Sequence, residues 1–89
     1  MKVQIDPHTL ERALERGVTE EKILDVLATG STIPAKGGRL GKVKIYPFRR
    51  NRLGTYYPQK RIEVIYALED DQIVTVTVYA FYGEWENEQ

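Results

Sequence analysis

The stretch Gln72-Ile73-Val74-Thr75-Val76-Thr77-Val78-Tyr79-Ala80-Phe81-Tyr82 decides the fold. Val74, Val76, Val78 and Ala80 fall on one face of an extended chain, and Ile73, Thr75, Thr77, Tyr79 and Phe81 fall on the other. A strand wetted on one side alternates apolar with polar residues, whereas this one is rich in Val, Thr and aromatics on both sides, as a central strand is. Just upstream, Glu69-Asp70-Asp71 reads as a hairpin turn. Gln59 to Leu68 then supplies the antiparallel partner, with Ile62, Val64, Tyr66 and Leu68 along one face.

Working further back, Lys42 to Phe48 alternates, with Lys42, Lys44, Tyr46 and Phe48 on one side and Val43 and Ile45 on the other, which predicts a half-buried strand. Arg49 to Thr55 reads as a polar loop. Thr32 to Ala35 reads as a short strand broken by Pro34, and Lys36 to Gly41 as a turn.

Before Gly30 the period is helical. Asp6-Pro7 starts a helix, because Asp caps orphan amides and Pro gives up a donor that has no partner there. Leu10, Ala13 and Leu14 recur at helical spacing and predict its buried face. Gly17 stops it, and Val18 folds back on the last turn. Thr19 opens a second helix with Glu20 and Glu21 at its positive end, an apolar face of Ile23, Val26 and Leu27 with Leu24 beside them, and Gly30 as the stop. The expectation is an α+β protein: two N-terminal helices packed on one face of a three- to four-stranded antiparallel sheet. At 89 residues the chain is read as one domain, 1–89, with 84–89 a frayed acidic tail in which Trp85 packs back on the sheet or marks a contact surface.

The formal net charge is zero, from 13 basic and 13 acidic residues, but the charges are segregated. Residues 1–30 carry −2, residues 31–62 carry +9 with no acidic residue, and residues 63–89 carry −7. There is no Cys and one His, which argues against disulfides and a catalytic zinc site, and no cofactor is expected. No apolar run approaches a membrane span and no signal-peptide core is present, so a cytoplasmic location without membrane contact is expected.

Two constellations can carry chemistry. His8, Arg12 and Arg16 recur every four residues and form one row on the first helix, about 155° from the centre of Leu10, Ala13 and Leu14. On that count the row is a solvated face. As a site, it offers a neutral imidazole at the helix start and two guanidinium groups for a phosphate. The second constellation is the basic middle, where Lys42, Lys44, Arg49, Arg50, Arg52 and Lys60 are interleaved with Tyr56 and Tyr57. Cations neutralise phosphates and aromatic faces accept unstacked bases, a mixture that suits RNA or single-stranded nucleic acid. It equally suits an acidic protein partner or a second copy of the chain, which would make the protein a noncatalytic interaction module or a homodimer.

The row His8-x-x-x-Arg12-x-x-x-Arg16-Gly17-Val18-Thr19, followed by Ile23 to Gly30, resembles the opening helix pair of the bacterial domain of unknown function 4258. Arg61-Ile62-Glu63-Val64-Ile65-Tyr66 and Ile73-Val74-Thr75-Val76-Thr77-Val78-Tyr79 resemble that family's terminal hairpin. The layout is also similar to the ribonuclease-like and gyrase-targeting toxins of the RelE/ParE superfamily, a likeness between folds. That likeness implies metal-independent RNA cleavage with the 2′-hydroxyl as nucleophile, and an antitoxin as partner. It casts His8 or Tyr79 as proton carriers and Arg12, Arg16 and Arg61 as stabilisers of the phosphorane. Such toxins are commonly basic overall, and this chain departs from them in being balanced.

Overall fold

The computed structural model describes residues 1–85. Asp6 caps α1 (Pro7–Glu15), its carboxylate accepting the His8 amide at 2.8 Å. The helix closes as expected at Gly17, whose φ of +69° is left-handed. Val18 N–H donates to the Ala13 carbonyl at 2.8 Å and Gly17 N–H to that of Leu14 at 3.3 Å, so the last orphan carbonyls are satisfied by a Schellman turn. Thr19 caps α2 (Glu20–Thr29) by accepting the Lys22 amide at 3.2 Å. Gly30 ends it for a different reason. Its φ is ordinary, but a Cβ there would lie 2.6 Å from the Val26 carbonyl oxygen and 2.7 Å from that of Val43, so only glycine lets helix and sheet approach this closely.

The remaining elements are strands: β1 (Lys2–Gln4), β2 (Ser31–Pro34), β3 (Leu40–Arg52), β4 (Thr55–Glu69) and β5 (Gln72–Gly83), in the spatial order β1-β5-β4-β3-β2. The expected sheet of three or four antiparallel strands is therefore corrected to a mixed sheet of five. β2 to β5 are antiparallel, and β1 lies parallel to β5, with Lys2 opposite Gln72 and Gln4 opposite Val74. Three residues are too few for a period to register in sequence. In β5 the register shift opposite Ile65-Tyr66 puts Ile73 and Thr75 on the helix-covered face together with Val78 and Ala80, so the single alternation expected from Ile73 to Phe81 is broken once.

A second correction concerns Arg49 to Thr55. Most of this expected loop is strand, because β3 and β4 run on as a long hairpin closed only by Leu53-Gly54. Positive φ at Leu53 and Gly54, and at Asp70 and Asp71, gives both hairpins two-residue turns whose twist matches the flanking strands. A register irregularity between Pro47 and Arg50 re-aims the end of β3.

Ala13, Val18, Ile23, Val26 and Leu27 pack on Tyr46, Ile62, Val64, Tyr66 and Val78. Both helices thus cover one sheet face, as expected, but α1 is rolled relative to its apolar pattern. Thr9 and Ala13 are its buried residues, while Leu14 is 82% exposed. The roll is fixed by polar contacts. Thr75 Oγ1 donates to Thr9 Oγ1 at 3.0 Å and accepts the Asp6 amide at 3.0 Å, which satisfies the buried hydroxyls only with Thr9 turned inward. The row expected to be solvated is consequently half-buried at Arg12 and Arg16, with only His8 fully on the surface.

Candidate nucleic-acid interface

The basic segment acquires its geometry from strand alternation. Tyr46, Lys60 and Tyr82 share the helix-covered face, and the β3–β4 hairpin carries them past the core to the turn between the helices. There Lys60 Nζ donates to the Gly17 carbonyl, and the Tyr82 hydroxyl donates to that of Arg16 at 2.9 Å. The Cβ that Gly17 lacks would sit 3.3 Å from Arg52 Nη1, 3.3 Å from the Tyr82 hydroxyl and 3.7 Å from Lys60 Nζ, so three polar side chains converge on this turn.

Aromatic rings brace the cations. Phe48 meets Tyr82 edge-on at 5.0 Å, and Tyr57 tilts against Tyr82 at 5.7 Å. The Arg52 guanidinium lies 4.6 Å over Tyr82 and that of Arg50 lies 4.6 Å over Phe48; Lys22 sits 4.1 Å over Tyr46. Among the described residues no carboxylate pairs with Lys22, Arg50, Arg52 or Lys60. Half-burial, then the charges of Arg52, Arg50 and Lys22, push the Lys60 ammonium down to about 8. The acidic Asp70-Asp71 turn offers no relief, because β4 carries it to the far end of a molecule 42 Å long.

Other members of the basic set have structural roles or lie apart. Lys44 is 2.7 Å from Asp25 and 2.8 Å from Thr29, fastening α2 to β3. Tyr46 donates its hydroxyl to Asp25 at 2.5 Å; these two donors hold the Asp25 carboxyl below its ordinary range. Lys42 donates to Thr32 at 3.3 Å. Arg49 and Tyr56 are exposed on the hairpin arm.

The five residues cast as catalytic are not gathered at one point. His8 stands exposed beside the α1 cap, about 12 Å along the helix from Arg16. Arg12 pairs with Glu15 at 3.2 Å. The other three meet on or around the opposite sheet face. Arg16 reaches past the edge of β5, its guanidinium 5.7 Å from the Tyr79 ring and its Nη1 buried without a hydrogen-bond partner among the described residues. Tyr79 lies opposite Glu63, which pairs with Arg61 at 3.1 Å.

Sequence reading missed Lys22, Gly17 and Glu63 as neighbours of these sites. Strand parity carries part of the signal, since it already puts Tyr46, Phe48, Lys60 and Tyr82 on one face; the contribution of α2 has no local signature. No group of three or more His, Asp or Glu that could hold a metal ion occurs among the described residues, and no helix there is long and apolar enough to cross a membrane.

Fold and site together define a small α+β protein in which a helix pair lies on a mixed sheet and a cationic cap surmounts one end. Residues 5–80 match the family model described as Domain of unknown function (DUF4258), and the chain belongs to that family. No curated protein and no solved structure matches it.

Proposed function

We propose that the cap formed by Lys22, Arg50, Arg52 and Lys60 binds the phosphate backbone of single-stranded RNA. The observation that carries this reading is the absence of any described carboxylate partner for the four cations, together with their mutual repulsion at Lys60. A phosphate relieves that repulsion, and Arg forks and a Lys ammonium are suited to its oxygens. The rings of Phe48, Tyr82 and Tyr46 are already faced by cations, so backbone contact dominates over base stacking at the cap.

Titrating RNA affinity against salt tests it. Four neutralised phosphates give a slope of about −3 on a log-log scale, and Arg52→Ala makes the slope shallower. Absence of RNA and DNA binding at low salt would remove the reading. Cleavage in the manner of the RelE/ParE toxins is its stronger form, checked by RNA cleavage and growth arrest in wild type, His8→Ala and Arg12→Ala. Equal behaviour of all three excludes that pair from any active site.

A second reading, a protein-interaction module or homodimer, is favoured by the uncovered Leu10 and Leu14 on the outer side of α1. Sedimentation of wild type beside Leu14→Glu decides it. A single monomeric species for both chains ends the homodimer form.

A further inference from the structure

Across the sheet from the cap is a pocket of about 280 Å³ lined by Arg61, Glu63, Phe81 and Trp85. It is at the lower limit of small-molecule sites, a space for one planar ring system. Trp85 is held there by its backbone amide, which donates to the Gln59 side chain at 2.5 Å, and by its indole ring packed beside Gly83. The Phe81 ring is 45% exposed. Arg61 and Glu63 use Nη2 and Oε2 on each other, and Arg61 Nε is buried with no hydrogen-bond partner among the described residues. The lining thus brings two aromatic side chains, a guanidinium and a carboxylate around one space.

We propose that this pocket takes a guanine base from the strand whose phosphates the cap holds. The Watson–Crick edge of guanine offers one acceptor, O6, next to two donors, N1–H and the exocyclic amine, which match Arg61 next to Glu63. Adenine and cytosine present an amine where Arg61 needs an acceptor. Uracil has the acceptor and one donor but a smaller ring to stack.

The connection to the cap is short. Lys60 and Arg61 are consecutive on β4 and point to opposite faces, as do Tyr82 and Phe81 on β5. β1 ends at Gln4, opposite Val74, so beyond that point β5 has no strand on its outer side, and a nucleotide chain can round that edge. This deepens the nucleic-acid reading of the cap and rests on it for the polymer.

Trp85 is the single tryptophan, so its fluorescence in the intact chain reports the pocket directly. The four ribonucleoside 5′-monophosphates are titrated first, then uridine oligomers carrying one central guanosine or adenosine. The expected result is that guanosine monophosphate binds at least about fivefold more tightly than the other three. The same preference should hold in the oligomers and disappear in Glu63→Gln. Equal quenching by all four nucleotides, or none by the guanosine form, overturns the pocket without reference to any variant. Oligomers that bind without base preference overturn it too, while leaving the cap intact. A guanosine preference among free nucleotides with no oligomer binding at low salt supports the pocket and removes the cap.

Discussion

The Tyr82 hydroxyl donates to the Arg16 carbonyl at 2.9 Å, joining the end of β5 to the C-cap of α1. Together with the Lys60 ammonium on the Gly17 carbonyl, this bond holds the interhelical turn against the cationic end of the sheet, and the same ring carries Arg52 on its face and Phe48 at its edge. Tyr82→Phe keeps the ring and deletes the donor. It should lower stability by about 1 kcal/mol, read as a lower urea midpoint at unchanged m.

The roll of α1 reverses the ordinary expectation for its leucines. Leu14→Ala should cost less than about 0.5 kcal/mol, since the side chain is already in water, whereas Ile23→Ala, at a fully buried position, should cost about 2–5 kcal/mol. Thermal melts of the two variants check this.

Asp25 makes the fold acid-sensitive. Its folded carboxyl titrates below the ordinary 3.8, chiefly because Lys44 and Tyr46 donate to the ionised form. Its contribution is complete above 3.8 and disappears as pH falls through the lower folded value. Denaturation curves of Asp25→Asn should therefore be less stable at neutrality and show a flatter acid limb than wild type.

Lys60 acts with the opposite sign. Its folded value of about 8 lies below the unfolded 10.5, so the charged form is disfavoured in the fold and its cost is fully present below 8. Between about 8 and 10.5 the unfolded chain holds the proton that the folded chain has released, and stability rises with pH. The difference between wild type and Lys60→Met should show that rise. RNA affinity should fall over the same alkaline window, and near pH 8 binding should take up protons, seen in calorimetry as a dependence on buffer ionisation enthalpy.

How much of this was legible depended on whether the signal was local. The caps at Asp6 and Thr19 and the stop at Gly17 are encoded within a turn of where they act, and the alternation from Ile62 to Tyr66 fixes the buried face of β4 within one strand. The roll of α1 was not local. The apolar pattern points to Leu10 and Leu14, and contacts to Thr75 from the Thr9 hydroxyl, 66 residues away, and from the Asp6 amide turn the helix the other way. Arg50 to Arg52 look like a loop by composition, yet pairing with Thr55 to Tyr57 makes them strand. At the candidate sites, the basic residues were visible as a run; the position of Lys22 among them, and the separation of Lys60 from its neighbour Arg61 onto opposite faces, follow from packing and register.

The parallel contact of β1 with β5 also bears on how the chain is made. Lys2 finds Gln72 only after the sixty-nine residues between them have left the ribosome, and α1 rests on the same late strand. The hairpin of β3 and β4 can zip while synthesis proceeds, but the first helix has no sheet beneath it until β5 arrives. Closure is therefore a late event of high contact order. During that wait the unpaired early segment is the part of a nascent chain most open to capture by chaperones or by another copy.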